Sequence, residues 1–229
     1  PMYLTDLIYP RECRVCGNIL CSDEKYLCPD CAGDMPLTYF WGWRGNPAEE
    51  RVPGPPYFEK AASLYFYSRD NGYRHIVQGI KYGYQFRMGI FFGEMLGKYM
   101  KEYFGDTDII IPVPVHPIKL WTRGYNQAEM IARGIASGLG GIPVDTKTLF
   151  RIKYRRSQTA LSMAEKPRNV KDAFRVSESR AAKGMFAGKH LLLVDDVLTS
   201  GATATACREA LSALGDIRVS LATLAFVRS

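Results

Sequence analysis

The stretch Leu191-Leu192-Leu193-Val194-Asp195-Asp196-Val197-Leu198-Thr199-Ser200-Gly201-Ala202-Thr203 decides the fold. Four apolar residues read as a buried strand, two carboxylates stand at its carboxyl end, and a turn of small residues opens a helix. Small side chains at Ser200, Gly201 and Ala202 let successive backbone N–H groups approach a phosphate. The helix dipole and the hydroxyls of Thr199, Ser200 and Thr203 complete an anion cradle. Asp195 and Asp196 can accept hydrogen bonds from two vicinal hydroxyls, so a ribose 5-phosphate fits the string. Taken alone, the acidic pair also suits a solvated turn or a Mg2+ site of another enzyme class, and the Thr-Ser-Gly-Ala-Thr run suits a helix cap. A Walker-type loop is excluded, because no Gly-x4-Gly-Lys-Ser/Thr occurs.

Outward from this string the pattern alternates. Residues 61–67 read as a strand, 73–81 and 88–103 as helices, 108–115 as a strand and 126–137 as a helix. Strands follow at 144–149, 173–176 and 189–195, then a helix at 201–214 and a closing strand at 217–227. This order predicts an α/β fold with a largely parallel sheet and ligands at the carboxyl ends of its strands. Of the 229 residues, 47% are hydrophobic and 23% charged, which excludes disorder as the main state. No run approaches the roughly 18 apolar residues of a spanning helix. Pro1 before Met2 reads as a processed terminus, and no export signal follows, so a soluble cytoplasmic protein without membrane insertion is expected.

Cys13-Arg-Val-Cys16 and Cys28-Pro-Asp-Cys31 are two C-x2-C turns separated by eleven residues. Together they offer the four thiolates of a closed tetrahedral zinc site, structural because no coordination position stays open. Disulfides are the alternative, disfavoured in a chain without an export signal. Cys21 is a spare sulfur that could replace one of the four, and Cys207 stands alone on a helix. The proline- and glycine-rich run after Leu37 marks a boundary. The expected organisation is a zinc-binding domain at 1–36, a connector at 37–60 and the α/β domain at 61–229.

Charge is uneven. Residues 1–50 carry four basic against eight acidic side chains, whereas residues 151–183 carry ten against three, a local excess equal to the net +7 of the whole chain. Such a block suits a phosphate or polyanion, or a plain solvated surface.

The 191–203 string resembles the 5-phosphoribosyl-1-pyrophosphate (PRPP) motif of type I phosphoribosyltransferases. Ile111-Pro112-Val113-Pro114 and Arg123-Gly124-Tyr125-Asn126-Gln127 resemble elements of the ComF (ComFC/GntX-like) competence family, with Tyr125 in place of the usual Phe. Ser157-Gln158-Thr159-Ala160-Leu161-Ser162 and Arg168-Asn169-Val170 resemble the same family's flexible-loop region. The resemblance implies a phosphoribosyltransferase-like domain behind a zinc-binding N-terminus, acting in the uptake of single-stranded DNA. By the same resemblance Asp195 and Asp196 hold the ribose hydroxyls, 199–203 (Thr199, Ser200, Gly201, Ala202, Thr203) hold the 5-phosphate, and Lys119 and Arg123 are diphosphate candidates. Mg2+ accompanies PRPP. Arg155, Arg156, Lys166 and Arg168 are candidates for nucleic-acid contacts, and Tyr73, Tyr82, Tyr84, Phe86 and Tyr154 for base stacking or for packing. A helicase-like competence protein is a candidate partner. The second functional reading is a metabolic phosphoribosyltransferase acting on a nucleobase or amine, with both carboxylates as its support.

Overall fold

A computed structural model describes residues 10–82, 85–152 and 173–228. Among these, the elements run α1 (Pro29–Gly33), a 3-10 turn (Phe40–Gly42), α2 (Pro47–Glu50), β1 (Ala61–Tyr67), α3 (Arg74–Tyr82), α4 (Phe86–Tyr99), α5 (Lys101–Phe104), β2 (Ile109–Pro112), α6 (Pro117–Arg123), α7 (Gln127–Gly138), β3 (Leu149–Arg151), β4 (Phe174–Val176), α8 (Glu178–Ala181), β5 (His190–Leu198), α9 (Ala202–Leu211), a second 3-10 turn (Ser212–Leu214) and β6 (Arg218–Val227).

The main sheet has the order β1-β6-β5-β2, and every pairing is parallel. A parallel sheet covered on both faces demands apolar residues at consecutive strand positions, and residues 190–194 are buried without a break. Leu192 and Val194 join a core with Phe92, Leu96, Ile131 and Ile135 of α4 and α7. Leu191 and Leu193 pack on the other face with Phe186, Cys207 and Leu211. Helices α4 and α7 meet through their backbones: a Cβ on Gly134 would lie 2.1 Å from the Ile90 carbonyl oxygen, and one on Gly93 would lie 2.3 Å from that of Ile131.

Strand 144–149 is corrected by the structure. Val144 makes one parallel bridge to Ile110. Asp145 then closes a turn, its Oδ1 accepting from the N–H groups of Lys147 and Thr148 at 2.8 and 2.9 Å. The next strand, β3, starts only at Leu149 and pairs antiparallel with β4, apart from the main sheet.

The connector is built into the fold. Residues 36–38 add an antiparallel bridge to β1 through Leu37 and Tyr65. Asn46 is fully buried; its amide nitrogen reaches the carbonyls of Trp43 and Ala61 at 3.0 and 2.9 Å, and its oxygen caps α2.

At the amino ends of the strands one carboxylate clamps three of them. Asp106 contacts Lys60 beside β1, His190 at the start of β5 and Arg218 at the start of β6, each at 3.0 Å. Burial opposes its charge, but Lys60, His190 and Arg218 outweigh that and draw the carboxyl down to about 2. A depressed carboxylate stabilises the fold above its unfolded pKa of about 4 and loses that contribution as pH falls through the folded value. Urea midpoints should therefore drop between about pH 4 and pH 2, and Asp106→Asn should flatten that part of the profile; an unchanged slope would remove the clamp from the account.

Candidate functional site

Two features stand out, one at each end of the chain. In the N-terminal knuckle the sulfurs of Cys13, Cys16, Cys28 and Cys31 all lie within 4.8 Å of one another. The Cys16 and Cys28 sulfurs are 3.8 Å apart. A tetrahedral ion with Zn–S bonds of about 2.3 Å sets its sulfurs about 3.8 Å from each other, so the donor set fits a thiophilic dication such as zinc. Burial opposes ionisation of Cys13, yet the backbone N–H groups of Cys16, Cys28 and Val15 bring its thiol down to about 6. Cys31 is pushed up by burial and by its thiol neighbours. The Cys13 thiolate thus forms readily while Cys28 and Cys31 resist, a conflict that a dication resolves. The exposed Cys21 stays outside the cluster, as the spare sulfur. Cys207 is buried, and burial raises its pKa, which suits packing rather than reactivity.

At the other end β5 continues three residues past the expected strand end, so both carboxylates lie within the strand. Gly201 adopts φ +77°, and no side chain caps the amino end of α9. Its first N–H groups face the turn formed by the exposed Thr199 and Ser200. Alternation along the strand sends the two carboxylates to opposite faces. Asp196 is buried and meets the ammonium of Lys81, from α3, at 3.0 Å. Asp195 borders a small recess with Thr203 and Thr223. Burial, helped by the neighbouring Asp196 charge, pushes Asp195 up to about 7.

Beside the turn opens a cavity of about 1050 Å³ at the carboxyl ends of β1, β5 and β6, walled by α3 and by residues 68–71. This is the end of a parallel sheet where ligands bind. A second array looks catalytic by distance alone: Asp106, His190 and Ser220 stand in a row, with 2.7 Å between His190 Nε2 and Ser220 Oγ. His190 and Ser220 have no exposure, so no substrate reaches them and the array is part of the clamp.

Known proteins share parts of this chain. Competence protein F of Haemophilus influenzae is 35% identical over 108 residues, 47% of this chain and 45% of the relative. DNA utilization protein YhgH of Escherichia coli O157:H7 is 25% identical over 196 residues, covering 83% of this chain and 79% of the relative. The chain is similar to proteins named for competence and for DNA utilization. The YhgH protein of Salmonella typhi is 34% identical over 96 residues, 42% of this chain and 39% of the relative. The chain thus spans less than half the length of the first of these relatives. A scan against protein-family profiles finds no match. Two solved structures overlay at a TM-score of 0.35. A phosphoribosylpyrophosphate synthetase from Mycobacterium smegmatis is 21% identical over 58% of this chain and 33% of that one. A purine phosphoribosyltransferase from Pyrococcus horikoshii is 22% identical over 62% and 74%.

The ComF-type string around Arg123 is largely scaffold. Gly124 ends α6 in the left-handed region, the Tyr125 hydroxyl donates to the Ile80 carbonyl, and Asn126 caps α7 while donating to the Val113 carbonyl at 3.0 Å. Arg123 contacts Gln127 Oε1 at 3.2 Å and lies 5.2 Å over the ring of Tyr82, on the cavity wall. Lys119 lies on α6, half-buried. Among the aromatic candidates, Tyr73 is buried and donates to the Cys31 carbonyl at 2.8 Å, Phe86 packs edge-on to Tyr125, and Tyr82 is exposed. Arg155, Arg156, Lys166, Arg168, Tyr84 and Tyr154 lie outside the described residues. Two residues at the site escape sequence reading: Lys81, paired with Asp196, and Arg51, whose guanidinium donates to the carbonyls of Thr199 and Val227. No helix among the described residues is long and apolar enough to cross a membrane.

Proposed function

We propose that this chain serves DNA uptake and binds PRPP with Mg2+ at the carboxyl end of β5. The observation that carries the reading is the uncapped amino end of α9 behind a left-handed Gly201, beside two carboxylates at the end of a central parallel strand. The relatives named for competence and DNA utilization support the role in uptake. In this reading backbone N–H groups and the hydroxyls of Thr199, Ser200 and Thr203 donate to the 5-phosphate. Asp195 and Asp196 accept from the ribose hydroxyls, and Lys119 and Arg123 offset diphosphate charge. Mg2+, when bound, supplies the positive charge that stabilises a departing diphosphate. Zinc in the four-cysteine knuckle is structural. Single-stranded DNA and a helicase-like protein are the partners.

A second reading, a phosphoribosyltransferase acting on a nucleobase or amine, is favoured by the acidic pair, because carboxylates add nothing to the capture of a polyanion. Calorimetric titration of PRPP with Mg2+ tests the ligand. The Asp195→Asn, Asp196→Asn double variant should lose at least about tenfold in affinity, since each hydrogen bond to a charged acceptor contributes about 1.5–3 kcal/mol. It should also keep its far-UV spectrum. Equal affinity in the double variant would refute the ribose role.

A further inference from the structure

The cavity beside the phosphate turn is larger than a ribose phosphate requires. Its volume of about 1050 Å³ sits at the upper end of the roughly 300–1,000 Å³ of small-molecule pockets. Its wall combines aromatic and cationic side chains with one exposed carboxylate, Asp70. Tyr67 and Tyr82 line it, and Tyr82 is 70% exposed. Arg69 and Arg228 stand on its rim, both exposed, and Arg228 lies 3.8 Å over the ring of Phe66. Neither arginine has an ion pair among the described residues, whereas Lys81 is already matched by Asp196. Asn71 and Gln78 add amides to the same wall.

We propose that this cavity takes one nucleotide unit of a single-stranded oligonucleotide, its base against Tyr67 and Tyr82 and its flanking phosphates at Arg69 and Arg228. The proposal rests on the DNA-uptake reading for the class of ligand. A free phosphate or diphosphate needs cations alone; an exposed aromatic face beside them suits a ligand that carries both a π-face and a phosphate. A base stacked in a duplex has both faces covered, whereas an unpaired base has a face free to lie on such rings. The Gln78 amide offers a donor and an acceptor to a base edge. The Arg123 guanidinium over Tyr82 holds that ring at the cavity wall and adds a cation beside it.

Fluorescence anisotropy with labelled oligothymidylate of about twelve nucleotides, within the range of about 4–16 that one such surface covers, tests this across a salt series. A duplex of equal length and a calorimetric PRPP titration run on the same proteins. Tyr82→Ala should weaken oligothymidylate binding about tenfold, while Tyr82→Phe stays within about twofold, because stacking needs only the ring. Arg69→Gln with Arg228→Gln should lower the slope of log K against log salt by about 1.4, at about 0.7 per phosphate contact on a single strand, and leave PRPP affinity unchanged. The duplex should bind more weakly. The proposal is overturned if the parent protein binds no oligothymidylate, if the alanine and glutamine variants bind as the parent does, or if the duplex binds equally well. A parent that binds oligothymidylate through Tyr82 but fails to bind PRPP would remove the ribose-phosphate reading alone.

Discussion

Replacing Cys13 by serine will strip the knuckle of its metal and lower the melting temperature of the whole chain. The four sulfurs form one closed donor set. Three backbone N–H groups point at Cys13 and favour its thiolate. A serine hydroxyl keeps the volume and loses the soft, ionised donor, so three ligands remain where a structural site needs four. Such sites contribute about 10–16 kcal/mol of binding free energy to the folding of small metal domains, which makes this the largest single loss expected here. The effect does not stay local. Cys13, Leu20, Leu27 and Cys28 share a continuous core with Tyr73, Ile76 and Phe92, and Tyr26 packs edge-on to Phe91 at 5.2 Å. A Cβ on Gly72 would lie 2.2 Å from the Val15 carbonyl oxygen, so the knuckle touches the loop that borders the cavity. Metal analysis of the purified variant beside Cys21→Ser is the check, since Cys21 is exposed and outside the cluster. Full metal content in Cys13→Ser, or equal loss in Cys21→Ser, would sink the assignment.

What the sequence disclosed follows from how local each signal is. The strand, the acidic pair and the turn of 191–203 are contiguous, and the two C-x2-C units are short-range patterns, so both features form, although β5 runs on past the acidic pair to Leu198. The helix expected at 88–103 is two helices, α4 and α5, joined at Met100, because apolar spacing continues through a break in the backbone. The strand expected at 144–149 fails for a different reason. Its β-propensity competes with Asp145, whose carboxylate binds the two following N–H groups and an arginine from α8, and periodicity does not report such a turn. Lys81 could be read as helical from its neighbours, but its partner Asp196 is set by tertiary packing, more than a hundred positions away. Arg51 was hidden in a stretch whose prolines and glycines read as a connector, whereas a buried Asn46 fixes that stretch firmly against β1.

Gly201→Ala is expected to damage the turn before α9 more than a single-methyl change at any other positive-φ glycine among the described residues damages its own turn. Gly201 has φ +77°, where a Cβ costs about 1–2 kcal/mol by its contact with the backbone. The added carbon would also lie 2.5 Å from the Arg51 carbonyl oxygen and 2.8 Å from Val52 Cγ1, and overpacking of this kind costs about 1–3 kcal/mol more. Arg51 cannot withdraw freely, because its guanidinium binds the carbonyls of Thr199 and Val227 and lies 4.6 Å over Phe226. The turn must therefore move instead, and with it the N–H groups at the start of α9. Gly184 is the control: it has φ +62° and an added methyl there would meet nothing within 4 Å, so Gly184→Ala bears the backbone cost alone. Urea unfolding should rank the two variants in that order, and PRPP titration should show lost affinity for Gly201→Ala only. Arg51→Gln separates the clash from the brace, since it removes the two carbonyl contacts without filling the turn. If it too weakens PRPP binding while its unfolding midpoint moves little, the connector positions the turn at Gly201; if Gly201→Ala and Gly184→Ala behave alike, the close approach of residues 51 and 52 has no bearing on the site.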